Sequence, residues 1–218
     1  MSRGIHLLKN MKELLDFYLL AFTTLFSMVN PFSVMPVFVK FSDGLSKEKT
    51  KQLAKKGTLA AMIAMIFFAL SGQMIFKFFS ISLDSLRVVG GILFFINGFD
   101  MLQAKPVRTK DETDYEDDLN NDVAVTPLGI PLLCGPGTIT AVILMNQGAT
   151  TLQAKGVLYF AILSTSAIVL FMLLASKWIM EKLGEAGAKV LFRIMGLIVM
   201  VIAVEYFFTG LRNLLRIA

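Results

Sequence analysis

A chain of 218 residues that is 56% hydrophobic and only 17% charged cannot cover itself with the polar surface that a water-soluble domain of this size carries. A single cysteine, Cys134, excludes an internal disulfide and a cysteine-based metal site, and the one histidine, His6, lies outside every apolar run and receives no role. The net charge of +5 does not point to nucleic acid, because the basic residues sit between apolar segments, where they orient a chain in a bilayer.

Six segments are long enough to cross roughly 30 Å of hydrocarbon: residues 17–39, 58–79, 86–102, 123–145, 156–176 and 194–211. The first is not a cleaved signal peptide. Its apolar core is too long, and Asn30-Pro31 stands where small cleavage-site residues belong. The same pair interrupts the span. A proline removes a backbone donor and clashes with the preceding turn, and in hydrocarbon the carbonyl it frees finds no water. Pro31 suits the first turn of a new helical segment, Asn30 suits its N-cap, Ser33 adds a hydroxyl there, and Pro36 removes one more bond.

The third span opens on Arg87-Val88-Val89-Gly90-Gly91 and carries Asn97 and, near its end, Asp100. Asn97 reads as an interhelical hydrogen-bonding residue, and Gly90, Gly91 and Gly98 read as sites of close helix packing. A polar linker at about 105–122 follows, with Asp111, Glu112, Asp114, Glu116, Asp117, Asp118 and Asp122. It reads as a solvated connection between two halves rather than a cation-attracting loop.

The fourth span is interrupted like the first. Pro131, Gly135, Pro136 and Gly137 loosen its backbone over about two turns, and Thr138 and Thr140 follow with hydroxyls. Cys134 reads as a small packing residue, because no base accompanies it. The fifth span has no such feature. The sixth begins Arg193-Ile194-Met195-Gly196 and holds Glu205 well inside it. Intramembrane ionisable groups are functional candidates, so Glu205 and, more weakly, Asp100 are candidates to carry a coupling proton or cation.

The spans repeat in order. Pro31 and Pro136 lie 105 positions apart, and Arg87 and Arg193 lie 106 apart. Spans two and five both start with Lys-Gly, at Lys56-Gly57 and Lys155-Gly156. A repeat of three spans enters the membrane the second time from the opposite side. The expectation is therefore an all-α membrane protein: one transmembrane domain over residues 1–218, with six transmembrane helices as two inverted three-helix repeats, about 12–104 and about 123–214. Helices 1 and 4 are discontinuous. Thirteen Lys and Arg residues fall between spans on one side and eight on the other, which puts both termini outside the cytoplasm.

One proline kink in a membrane helix is ordinary. Two symmetry-related breaks point to a binding site. The positive end of a half-helix favours a carboxylate, and exposed carbonyls favour an ammonium, so a small zwitterion fits both. The candidate substrate-binding residues are Asn30, Pro31, Ser33, Gly135, Gly137, Thr138 and Thr140. No span carries a metal cluster, a serine with a base, or paired carboxylates, so catalytic residues, metal and cofactor are all expected to be absent. Water channels also carry Asn-Pro pairs in inverted halves, but on short re-entrant segments additional to the spans.

The run Asn30-Pro31-Phe32-Ser33-Val34-Met35-Pro36-Val37-Phe38, the run Thr126-Pro127-Leu128-Gly129-Ile130-Pro131-Leu132-Leu133-Cys134-Gly135-Pro136-Gly137-Thr138-Ile139-Thr140, and the two Arg-to-Gly motifs resemble the MarC family over nearly the whole chain. The resemblance extends to its small-neutral-amino-acid branch, often called SnatA. It implies a six-helix cell-membrane (plasma or inner-membrane) secondary transporter of glycine and alanine, coupled to a proton or sodium gradient and not an enzyme. Carried over by motif, its site uses Asn30, Pro31, Ser33, Gly135, Gly137 and Thr138. Many members have glycine where this chain has Ser33, whose hydroxyl either touches substrate or narrows the pocket. The implied partners are a small neutral amino acid and the lipid bilayer. Export of a metabolite or drug, and an aquaporin-like small-solute channel, are the alternatives. Neither oligomeric state nor direction of transport follows from the sequence.

Overall fold

The computed structural model describes residues 2–78, 80, 82–103 and 124–215, and the acidic linker falls outside them. Every regular element among the described residues is a helix. In chain order these are α1 (Ser2–Val29), α2 (Pro31–Phe41), α3 (Lys47–Phe78), α4 (Leu83–Leu102), a π-helical segment (Ala124–Leu133), α5 (Pro136–Gly148), α6 (Leu152–Leu174) and α7 (Ser176–Leu215).

Among the described residues, five stretches are long and apolar enough to cross a membrane: Met11–Phe41, Lys47–Gly72, Asp84–Leu102, Leu152–Leu174 and Lys189–Leu215. The sixth expected span, 123–145, is not one helix. It divides into the π-helical segment of 10 residues and α5 of 13 residues, each short of the roughly 20 residues a crossing needs. Pro127 and Pro131 lack N–H groups, so this segment cannot keep a regular i→i−4 ladder. The wider π turn closes instead, with Cys134 N–H donating to Gly129 O at 3.0 Å.

Two basic stretches read as loops prove helical. Lys47, Lys49, Lys51, Lys55 and Lys56 form the first turns of α3, with Ala54 buried beneath them. Lys177 and Lys182 lie on a first arm of α7, which turns at Gly184. That residue adopts φ 62°, a left-handed conformation that glycine reaches without a Cβ clash.

α5 sits at the centre of the bundle. Gly137, Thr138 and every residue from 140 to 146 are buried, and α5 packs against α1, α3, α4 and α6. The outer helices expose a belt of large apolar side chains, among them Phe67 and Leu70 of α3, Ile96 of α4, Phe171 of α6 and Val201 and Phe208 of α7. Such a surface is stable against lipid and not against water. The closest packing joins α4 to α7. A Cβ on Gly196 would stand 2.6 Å from the Gly98 carbonyl oxygen, and one on Gly91 would stand 2.8 Å from that of Ala203. Only glycine admits backbones this close.

Candidate functional site

The first break is a single left-handed residue. Asn30 has φ 47° and ψ 66°, a region where Asn is among the few tolerated residues. Its Oδ1 accepts from Ser33 N–H at 3.4 Å, its Nδ2 donates to Ser33 Oγ, and Pro31 takes the first helical position, as the sequence predicts. Two donors are thereby withdrawn from the end of α1. Pro31 has no N–H to offer the Ser27 carbonyl, and the Ser33 N–H, which a continuous helix would aim at Val29, goes to Asn30 O at 3.0 Å.

The second break differs in one respect. Gly135, extended at φ −81° and ψ 177°, precedes Pro136 at the start of α5 and has no side chain to cap it. The N–H groups of Gly137 and Thr138 therefore stand at the positive end of a buried helix without a side-chain acceptor from the N-cap. An anion-favouring end is left open here, whereas at α2 the protein's own Asn30 fills it.

The fold brings the turn before the first break against the second. A Cβ on Gly137 would meet Nδ2 of Asn97 at 3.2 Å, Sδ of Met28 at 3.4 Å and Cε1 of Phe94 at 3.7 Å. Met28 is two residues before Asn30. The last turn of α1 thus reaches the first turn of α5 through the Met28 side chain, with the Asn97 amide of α4 beside them. Asn97 is exposed while Phe94, one turn earlier, is fully buried, so Asn97 stands at the rim of this contact.

Other expected site residues go elsewhere. Thr140 donates its hydroxyl to the Pro136 carbonyl at 2.9 Å, and its methyl lies against Gly90. It secures the first turn of α5. Glu205 is exposed on α7 on the same helical face as Val201, Val204 and Phe208, all exposed, and the fold does not bring it to the breaks. Asp100 is exposed at the end of α4. Cys134 is fully buried, in keeping with a packing role.

Three residues at the junction were not expected there: Met28, Phe94 and Asn97, the last read only as a helix-packing group. Asn146 was missed altogether. It is buried in α5 and donates from Nδ2 to the Ala69 carbonyl at 2.6 Å, tying α5 to α3. A polar residue in an apolar span was the available signal for both asparagines.

Nearly the entire bundle, residues 15–215, matches the model of the MarC family of integral membrane proteins. The chain belongs to the MarC family. Similar chains include a UPF0056 membrane protein of Methanocaldococcus jannaschii, 37% identical over 92% of this chain and 98% of its own length. A UPF0056 membrane protein of Aquifex aeolicus is 33% identical, with 94% and 97% covered. YvbG of Bacillus subtilis, also a UPF0056 membrane protein, is 31% identical, with 91% and 96% covered. No solved structure was found to match the chain. As a MarC protein with several apolar helices, it is an integral, multi-pass membrane protein.

Proposed function

We propose that this MarC protein is a secondary active transporter of small neutral amino acids, of the SnatA kind, working by alternating access in the cell membrane with both termini outside the cytoplasm. The observation that carries the reading is the apposition of Met28, Gly137 and Asn97. A zwitterion lying between the two breaks would direct its carboxylate to the N–H groups of Gly137 and Thr138 and to the Asn97 amide. Its ammonium would face the carbonyls at the end of α1. The 3.2 to 3.7 Å contacts that a Cβ at position 137 would make keep a side chain of the protein out of this junction, and the preference for glycine and alanine rests on the resemblance to the SnatA kind.

The six segments act in this reading as two inverted repeats. α1 packs on α6 as the π-helical segment packs on α3, and α2 packs on α7 as α5 packs on α4. Exchanging the halves turns each pairing into the other. The Gly98–Gly196 contact maps under the same exchange onto the neighbourhood of the Gly91–Ala203 contact. Two halves of opposite orientation can adopt each other's conformation and so alternate access to a shared site.

Asn30, Pro31, Gly137 and Thr138 are all buried here, which suits an occluded conformation. Coupling falls to a proton or sodium ion, with Glu205 and Asp100 as the acidic candidates, and the protein performs no covalent chemistry. Counterflow of labelled glycine or alanine into proteoliposomes tests the proposal. Accumulation above protein-free vesicles is the expected result, and none under any imposed proton or sodium gradient refutes it. An aquaporin-like channel would instead raise stopped-flow water permeability, and an exporter of larger metabolites would leave glycine counterflow at background.

A further inference from the structure

The single tryptophan of the chain, Trp178, is 61% exposed, although an indole is among the largest apolar groups a side chain carries. It stands on the first arm of α7, residues 176–183, which joins two consecutive membrane-crossing stretches, Leu152–Leu174 and Lys189–Leu215. A segment between consecutive spans lies at one membrane surface. Leu174, exposed at the end of α6, is four residues before Trp178, so the indole sits just past the edge of the apolar belt. The non-helical backbone of Gly184 frees the arm from the direction of the span that follows.

The arm has an inner and an outer face. Ser176 is buried, Ile179 and Met180 pack against the core, and Leu183 is half-buried. At about 100° per residue these four share one sector, and Lys177, Trp178, Glu181 and Lys182, all exposed, fill the opposite one. The outer sector divides again. Trp178 and Lys182 are four residues apart on one flank, and Lys177 and Glu181 are four apart on the other. Lys182 Nζ stands 5.5 Å from the centroid of the Trp178 ring, within cation–π range. Water would hydrate the ammonium but not the indole, and hydrocarbon would take the indole but not the ammonium. Only the boundary layer of a bilayer serves both, with the ring at headgroup level and the lysine reaching phosphate.

We infer that the first arm of α7 is an interfacial anchor in the phospholipid headgroup layer. Trp178 lies where glycerol meets the acyl chains, Lys182 pairs with lipid phosphate, and Lys177 and Glu181 face water. The anchor fixes the level at which the α6–α7 connection meets the bilayer, because interfacial Trp and Lys side chains set the position and tilt of the helices they flank. The inference does not depend on what the protein transports.

With one tryptophan in the chain, the intrinsic fluorescence of the full-length protein in phosphatidylcholine vesicles reports on Trp178 alone. Lipids bearing a nitroxide on the headgroup, near the glycerol end of the acyl chain or near the chain tip supply a depth scale, and acrylamide probes water. Emission should be lost most to the label near the glycerol, and less to the headgroup and chain-tip labels. Lys182→Gln removes the ammonium and should shift the strongest quenching toward the chain tip. In a Trp178→Phe background, Glu181→Trp should shift quenching from the lipid labels to acrylamide. These positions are exposed, so the fold tolerates the changes. Native emission lost mainly to acrylamide would put Trp178 in water, and emission lost mainly to the chain-tip label would put it in hydrocarbon. Either result overturns the anchor. So would a depth profile that Lys182→Gln leaves unaltered, or lipid quenching in the Glu181→Trp variant equal to that of the native chain.

Discussion

Gly137 and Asn97 are separated in sequence by the whole linker, yet a Cβ on the glycine would stand 3.2 Å from the amide nitrogen of the asparagine. The contact leaves space for a hydrogen atom at position 137 and little else. Gly137→Ala should therefore cut glycine affinity about ten-fold while moving the melting temperature only slightly, because the asparagine end can shift by a few tenths of an ångström. Gly137→Leu should abolish binding. Equilibrium binding of labelled glycine beside thermal melting checks both, and unchanged affinity in the alanine variant would place the site elsewhere.

Asn97 is exposed, so its truncation costs the fold little, within about 0.5 kcal/mol for a surface change. If its amide meets a carboxylate, Asn97→Ala should weaken glycine binding by about 1.5–3 kcal/mol, the range for hydrogen bonds to charged groups. Calorimetric titration separates that outcome from a purely structural role, in which affinity and melting temperature would fall together.

Asn30 combines a left-handed backbone with a side-chain cap. Asn30→Ala forfeits the cap and strains the backbone, at a cost of about 2–3 kcal/mol from the two effects together. Asn30→Gly relieves the strain and should destabilise less than alanine does. Thermal melting in one detergent ranks them, and the reverse order would show that position 30 does not need the left-handed conformation.

The α4–α7 crossing makes a second contrast among glycines. Gly196→Ala drives a methyl to within 2.6 Å of the Gly98 carbonyl oxygen and should cost about 1–3 kcal/mol as the helices part. Gly156→Ala, with nothing within 4 Å, should be neutral or slightly stabilising through helix propensity. A comparison of the two melting curves suffices.

Glu205 is the acidic residue furthest inside span six, although it looks outward from the bundle. Glu205→Gln should change the pH or cation dependence of glycine counterflow. A profile that superimposes on the native one removes Glu205 from coupling.

The sequence alone determined the membrane class, the two helix breaks and the residues that make them. A proline has no N–H wherever the chain goes, and Asn30 before Pro31 is a cap by local chemistry. Only the tertiary structure decided which faces meet. It placed α5 at the centre, set Asn97 beside Gly137, turned Glu205 outward and assigned Thr140 to the backbone of its own helix. In a soluble helix the apolar stripe would have announced the buried face. Here lipid and protein interior are equally apolar, so hydrophobic periodicity carries little information about facing, and the close fit of small residues between helices supplies it instead.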